Sequence, residues 1–427
     1  MNRPVVGFSI LFLSLISVAG ASADQPPGAI AVTGKSIAAM AGLDDAIVEL
    51  IAKHDLPGIS IAISDNGRLI HSRGYGLANR ETEEAVTPAS RFRIASISKP
   101  ITAVAVLRLV ELGKLRLDDR VFEILDAPES IENARVADRR LADVTIQQLL
   151  QHRGGWDRDK SFDPMFRSVQ WAEMCRCDPP AMPRDIIRAM QSQPLDFDPG
   201  SRYAYSNYGY CLLGRVIEKV SGLAYHDFVD AQILRPLAIT SMRLGKTRRD
   251  DRQVDEVCYY HPDNAKSVFA SDLGETVASP YGAWCLEAMD AHGGWIATAE
   301  DLVRFIDAIP FAAASTDNRP NSTSILSRDS ARLMSARPDG HPDEADSFYG
   351  LGWTIRPGND QSFTVWHTGS LPGTATELAR RSDGRSFAVL INARSGEGGK
   401  NPLNDVTAAI HRSLGKLGQI EAAEVEN

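Results

Sequence analysis

The strongest constraint on the fold is where strand-like and helix-like stretches fall along the chain. Strand-length apolar runs cluster at the two ends, and the long middle is helical pieces broken by Pro- and Gly-rich loops. Near the start, Gly58 to Ser64 and Arg68 to Tyr75 read as strands. Asp65-Asn66-Gly67 between them is a hairpin signal, since Asn and Gly accept the positive φ of a tight turn. Near the end, Tyr349 to Ile355, Phe363 to Thr368, Thr374 to Arg381 and Ser386 to Asn392 read as strands, with Ser382-Asp383-Gly384 as a turn. Strands joined by tight turns pair antiparallel. The expectation is an α/β (α+β) fold: one antiparallel sheet, built from both ends of the chain and flanked by helices, with a large, mostly helical insertion.

The helices have readable ends. Ala46 to Ala52 is apolar at helical spacing, and Ser96 to Leu112 is helical up to Gly113. Thr145 with Gln148 forms a capping box, and Thr298 with Asp301 caps a helix running to Ile309. Asn207 to Val220 carries Leu212, Leu213, Val216, Ile217 and Val220 on one face and stops at Gly222. A helix from Leu403 to Leu414 closes the fold. The expected organisation is a targeting segment at 1–23, a loose leader at 24–40, a sheet subdomain at 41–114 and 291–415, a helical subdomain at 115–290, and a tail at 416–427. Phe311 to Ser324 and Pro338 to Asp346 read as surface loops. A cleft between the two subdomains is the natural place for a site.

Arg3, the apolar run from Val5 to Val18 and Ala21-Ser22-Ala23 form a secretory signal peptide, with cleavage expected after Ala23 and a periplasmic or secreted product. The run is short for a spanning helix, and no other stretch is long and apolar enough, so no stable membrane span is expected after cleavage. A formal net charge of −9 gives no electrostatic footprint for nucleic acid. An exported chain meets an oxidising compartment, so its cysteines can pair. There are five, Cys175, Cys177, Cys211, Cys258 and Cys285, and the odd count leaves at least one free. Cys211 falls in the helical core pattern, and Cys258 with Cys285 is the expected pair. Nothing has the spacing of a zinc site, and no metal or cofactor is implied.

Three motifs carry chemistry. Ser96-Ile97-Ser98-Lys99 starts a helix, and residues three apart share a face, so Lys99 comes beside Ser96. Serine needs a neighbouring base to act as a nucleophile. A lysine serves if its amine is neutral, which burial and the positive end of the helix dipole both favour. The bland reading is a capping serine and a solvated lysine. Tyr205-Ser206-Asn207 follows a Pro199-Gly200-Ser201 turn. A phenol beside an ammonium can lose its proton and act as a base, and Asn207 offers a donor and an acceptor to a substrate. Alternatively Tyr205 is core and Asn207 caps the next helix. His367-Thr368-Gly369-Ser370 ends a strand. Gly369 clears space for close approach, and the Ser370 N–H with that of Ser96 would form a two-donor oxyanion hole; a strand end with a glycine turn is the plainer alternative.

In this order, on helix, loop and strand, the three motifs resemble the serine β-lactamase and D,D-peptidase superfamily on its class C side. The resemblance runs from about Asp44 to Leu414 and extends to Phe92-Arg93-Ile94-Ala95, Leu149-Leu150-Gln151-His152, Gly293-Gly294-Trp295 and Tyr349-Gly350-Leu351-Gly352-Trp353. It implies a β-lactamase/transpeptidase-like fold and acyl transfer. Ser96 would be the nucleophile, Lys99 and Tyr205 the proton-transfer groups, and Asn207, His367, Gly369 and Ser370 the substrate contacts. The substrate would be a small molecule or a peptide. The expected activities are a D,D-carboxypeptidase or D-amino acid peptidase and an esterase, followed by a β-lactamase; a penicillin-binding sensor that acylates without turnover is the non-enzymatic alternative. Two departures stand out. His367 replaces the lysine of many β-lactamases, and a histidine is only partly charged at neutral pH. Arg153-Gly154-Gly155 replaces a more usual Thr-Ser-Gly type of run, which makes Trp156 to Phe166 either a substrate-side loop or a plain surface loop. His152 itself reads as a buried structural histidine.

Overall fold

Asn66 and Gly67, at φ 49° and 80°, close the hairpin between β2 (Gly58–Asp65) and β3 (Arg68–Asn79) as the Asn-Gly pair requires. The structure, a computed structural model, describes residues 29–125, 138–311, 324–341, 345–358, 362–396, 399 and 401–425, with side chains to 418. The expected signal segment and the start of the expected leader lie outside these residues. Besides the two-residue strand Glu84–Ala85, which pairs with β3 off the main path, the remaining strands of the main sheet are β1 (Val32–Ser36), β4 (Phe348–Tyr349), β5 (Thr354–Pro357), β6 (Phe363–Leu371), β7 (Thr374–Arg380) and β8 (Arg385–Ile391). Their order is β1-β3-β2-β8-β7-β6-β5-β4, antiparallel throughout. The N-terminal hairpin and the C-terminal meander meet where β2 pairs with β8, from Ile59↔Ile391 to Asp65↔Arg385. Residues from both ends of the chain therefore form one sheet.

Two expectations are corrected. Residues 32–36, placed in a loose leader, form the edge strand β1. It has the mixed exposure of an edge, with no apolar alternation to reveal it. Tyr349 to Ile355, read as one strand, is the short hairpin β4–β5. Gly350 and Gly352 turn the chain, Gly352 at φ 87°. The cysteines also differ: all five are free thiols. Cys258 is fixed by its N–H donating to the Ala78 carbonyl (2.8 Å), and Cys285 packs its Sγ 4.0 Å from Met182 Sδ, so the expected pair is held in separate surroundings.

Helices cover both faces of the sheet. α1 (Ala41–His54) packs on the C-terminal helix Pro402–Val425, which lies against β7 and β8, with Thr407 donating to Glu377 (2.8 Å). The opposite face receives Ala299–Asp307. Its last residue, Asp307, accepts Ser64 Oγ from β2 and Ser386 Oγ from β8, each at 2.6 Å, and pairs with Arg380 of β7 at 3.1 Å. One buried carboxylate thus ties a helix to the three strands where the chain's two ends join. α2 (Ser98–Glu111) is apolar all round and almost wholly buried, as suits a helix enclosed between layers. It packs on α3 (Asn207–Ser221), which ends at Gly222 in the left-handed conformation. The described residues from Ala31 onward form one compact unit.

Asp307→Ala removes the carboxylate that a buried arginine and two buried hydroxyls share. It should cost about 3 kcal/mol of unfolding free energy in urea titrations, the typical loss for breaking a buried pair. Asp307→Asn, which keeps an acceptor, should lose clearly less.

Candidate active site

The turn that presents Ser96 is anchored from below. Phe92–Arg93 pairs with Trp295–Ala297, and the Arg93 guanidinium, buried at 1% exposure, donates to the carbonyls of Pro280 (2.6 Å), Lys246 (2.7 Å) and Thr247 (3.0 Å). It lies over the Tyr259 ring, whose hydroxyl accepts the Arg93 N–H and donates to Glu256. Ala95 then adopts φ 47°, a left-handed conformation that costs a non-glycine residue on the order of 1–3 kcal/mol. A short 3₁₀ turn, Ala95–Ile97, leads into α2. Ser96 is partly exposed at this junction.

Lys99 lies one turn on, fully buried, and its Nζ has three polar neighbours: Ser96 Oγ at 3.1 Å, Asn207 Oδ1 at 2.8 Å and the His292 carbonyl at 2.9 Å. Burial holds its pKa well below 10.5, with the field of Arg158 in the same direction and that of Asp163 opposed. A neutral amine has two N–H donors and one lone pair. Asn207 Oδ1 and the His292 carbonyl can only accept, so they take the two N–H groups. The lone pair is left facing Ser96, the one neighbour with a proton to give.

Asn207 opens α3, with Ser206 as the cap. Its Nδ2 donates to Asp163 Oδ2 at 2.6 Å, which fixes the amide so that Oδ1 faces Lys99. Asp163 also accepts the Met165 N–H at 3.1 Å, capping the turn Pro164–Phe166. Lys99 Nζ lies 4.8 Å from the centroid of the Tyr205 ring, and Ser96 is near enough to the phenol to act on its titration. Burial pushes the phenol well above its usual pKa. The expected ammonium-activated tyrosinate is therefore corrected: with Lys99 held toward neutrality, Tyr205 rests as a phenol able to pass a proton on. Behind it lies His152, whose ring is 4.2 Å from that of Tyr205 and whose Nδ1 accepts the Ser206 N–H at 3.1 Å.

His367 is buried on β6. Its Nε2 is 2.9 Å from the Tyr349 hydroxyl and its Nδ1 is 2.7 Å from the Thr368 carbonyl. A carbonyl can only accept, which puts the proton on Nδ1 and leaves Nε2 to accept from Tyr349. Burial, helped by Lys99, lowers its pKa to about 3. The part-charged histidine expected from sequence is thus a neutral one. Gly369 passes so close to the turn that presents Ser96 that a Cβ there would collide with the Ile94 carbonyl. Thr376 on β7 donates to that carbonyl at 3.0 Å. Ser370, next on β6, is exposed.

The structure brings Ser96 and Asn207 into hydrogen-bond contact with Lys99, places the Tyr205 ring beside Lys99, and sets Gly369 against the same turn. His367 stands back, reaching Tyr349. Sequence reading missed Asp163, Arg158, Tyr349 as the partner of His367, and the His292 carbonyl. Asp163-Pro164 is a readable cap signal, but nothing local says what the other carboxylate oxygen holds; a main-chain carbonyl leaves no mark in a sequence at all. Among the described residues no group of three or more His, Cys, Asp or Glu is placed to hold a metal ion, and no helix is long and apolar enough to cross a membrane.

Lys99 also gives stability a defined pH dependence. In the window between its depressed value and the ordinary 10.5, the unfolded chain binds a proton that the folded chain does not. Stability relative to Lys99→Met should therefore rise as pH climbs from neutrality toward that ordinary value. Urea unfolding of both proteins across the range checks this; parallel curves would mean a lysine charged in the fold.

The profile of the Beta-lactamase family matches residues 43–411. Penicillin-binding protein 4 of Amycolatopsis lactamdurans is 30% identical over 312 residues, 71% of each chain. The solved octameric penicillin-binding protein homologue from Pyrococcus abyssi superposes with a TM-score of 0.65 at 27% identity, over 87% of this chain and 77% of that one. A D-stereospecific amidohydrolase from Streptomyces sp. shares the fold, with a TM-score of 0.58 at 23% identity over 86% of this chain and 97% of the other.

Proposed function

We propose, of a chain that belongs to the Beta-lactamase family, that it is an exported serine hydrolase cleaving amide or ester bonds through an acyl-enzyme on Ser96. One observation carries the reading: a fully buried Lys99 amine with two acceptors on its N–H groups and the Ser96 hydroxyl on its lone pair. That arrangement supplies the base a serine nucleophile needs.

Ser96 Oγ attacks the substrate carbonyl as its proton passes to Lys99. The oxyanion is held by the backbone N–H groups of Ser96 and Ser370, which the close approach at Gly369 favours. Tyr205, beside Ser96 and Lys99, relays the proton to the leaving group. Water then attacks the acyl-enzyme, giving its proton back along the same path and freeing Ser96. Asn207, fixed by Asp163, orients the substrate beside Lys99. A peptidase acting on D-amino acid peptides and an esterase fit this site best. β-Lactam hydrolysis ranks behind them, because neutral His367 offers no fixed charge to a β-lactam carboxylate.

Ser96→Ala should abolish labelling by a fluorophosphonate probe and leave the thermal unfolding profile nearly unchanged. Lys99→Arg should fail almost as badly as Lys99→Ala, by orders of magnitude in stopped-flow acylation with a chromogenic ester, because a guanidinium keeps its proton. Near wild-type acylation by Lys99→Arg would overturn the mechanism. A panel of p-nitrophenyl esters, D-alanyl dipeptides and nitrocefin then ranks the substrate classes. For export, N-terminal sequencing of protein from its native host should find the chain beginning near Asp24; an intact Met1 would refute cleavage.

A further inference from the structure

Two of the free thiols stand on either side of a single residue, at the end of the helix Ser168–Cys175. Cys175 closes the helix. Arg176 follows at φ 56° and ψ 45°, and its N–H and that of Cys177 both turn back to helix carbonyls, Ala172 among them. These angles mirror the right-handed helical ones. Helical angles of either hand at one residue bring the Cα atoms on its two sides to ~5.4 Å. Bridged cysteines span roughly 4.4–6.8 Å between Cα atoms, most often near the middle of that range. The turn at Arg176 therefore already holds Cys175 and Cys177 at a disulfide's span.

Both thiols also address one neighbour. The Cys175 thiol donates to the Asp185 carbonyl at 3.3 Å, and Asp185 acts on the titration of Cys177, as does Cys175 itself. Asp185 lies in the first turn of the helix Pro183–Met190, which packs on Ser168–Cys175. The two thiols differ in access: Cys175 is buried at 7% exposure, whereas Cys177 is partly exposed. Burial disfavours both thiolates, and Asp185 adds to it; the Arg188 guanidinium, one turn further on, works in the other direction on Cys175. The other cysteines have separate surroundings. Cys211 is enclosed in α3, Cys258 is tied to the Ala78 carbonyl, and Cys285 rests against Met182.

We infer that Cys175 and Cys177 form a redox site that closes to a Cys-x-Cys disulfide by exchange with a low-molecular-weight disulfide. The more exposed Cys177 thiolate attacks one sulfur of the incoming disulfide, giving a mixed disulfide and releasing one thiolate. The Cys175 thiolate then attacks the Cys177 sulfur. The bond to the small thiol breaks, and the second thiolate leaves. Two electrons pass from the protein to the reagent, and the two protons lost by the cysteines end on the two released thiols. Closure gives up the Cys175–Asp185 hydrogen bond and fixes covalently the turn where the two helices meet.

The test treats the folded full chain with oxidised glutathione, alkylates the remaining thiols in denaturant and digests with trypsin. The count of alkylated thiols should fall from five by two. The peptides Ser168–Arg176 and Cys177–Arg184 should stay joined until a reductant is added. The rate should rise about tenfold per pH unit below the thiol pKa values, as the thiolate fraction does. Cys175→Ser should instead accumulate one glutathione on Cys177, and Cys177→Ser should keep all its remaining thiols. Equal trapping of glutathione by the wild type and Cys175→Ser would overturn the role of Cys175 as the resolving thiol. A wild-type protein that keeps all its thiols, that pairs Cys285 with either residue, or that closes the bond only after urea has unfolded it would overturn the site.

Discussion

The burial of one amine organises this molecule. Lys99 Nζ is removed from water at a cost that a charged group could not bear, and it is accommodated by acceptors from two other parts of the chain, the Asn207 side chain and the His292 main chain. Neither lies near Lys99 in sequence. The first opens a helix of the middle segment, and the second precedes the strand Trp295–Ala297 that pairs with Phe92–Arg93. The amine therefore finds its partners only when α2 is enclosed between the sheet side and the helical middle. Assembly of the fold and the shift of Lys99 toward its neutral form are therefore coupled.

Ser96, the proposed nucleophile, is subject to a second constraint, proximity to β6. The Ile94 carbonyl approaches Gly369 closely enough to exclude a side chain, accepts Thr376 Oγ1, and is followed by a strained Ala95. Backbone strain of this kind persists only where the surroundings over-determine it. Here they do so through Arg93, which spreads its donors over three main-chain carbonyls, and through the apolar packing of Ala95 with Trp284 and Leu371. Four successive residues, Arg93 to Ser96, thus serve anchoring, contact, strain and chemistry in turn. Loosening any one of them would let Ser96 drift from the strand that carries Ser370.

Much of this was legible before any coordinates, for identifiable reasons. The hairpin at Asn66-Gly67, the Thr145/Gln148 and Thr298/Asp301 capping boxes and the stop at Gly222 are local features, and each is formed as expected. The joining of the two chain ends followed from the placement of the strands. Edge strand β1 escaped because a short, half-exposed strand lacks alternation, and the β4–β5 hairpin escaped because its turn glycines lie inside an apolar run. At the site, the Ser96–Lys99 spacing put the two groups together because a helical turn fixes it. What could not be read was every relation made across the fold: Asp163 on Asn207, Tyr349 on His367, and the carbonyl of His292 on Lys99. Protonation states were hidden for the same reason, since burial is a property of the assembled structure.

That dependence on burial also explains how charge is distributed around the site. In a dry interior, a fixed cation near Lys99 would act on it strongly, because little water is present to screen the interaction. A positive charge close by would favour the free amine but would compete for the oxyanion and for Asn207. The fold avoids this conflict by keeping His367 neutral, with its two nitrogens committed to Tyr349 and the Thr368 carbonyl. Asp163 is bonded directly to Asn207, where it holds an amide in place and opposes the depression of the Lys99 pKa. Arg158, at the wet edge, supplies positive charge where solvent can attenuate it. Groups held toward neutrality are thereby kept inside, beside Ser96, and the formal charge of Arg158 is kept at the rim.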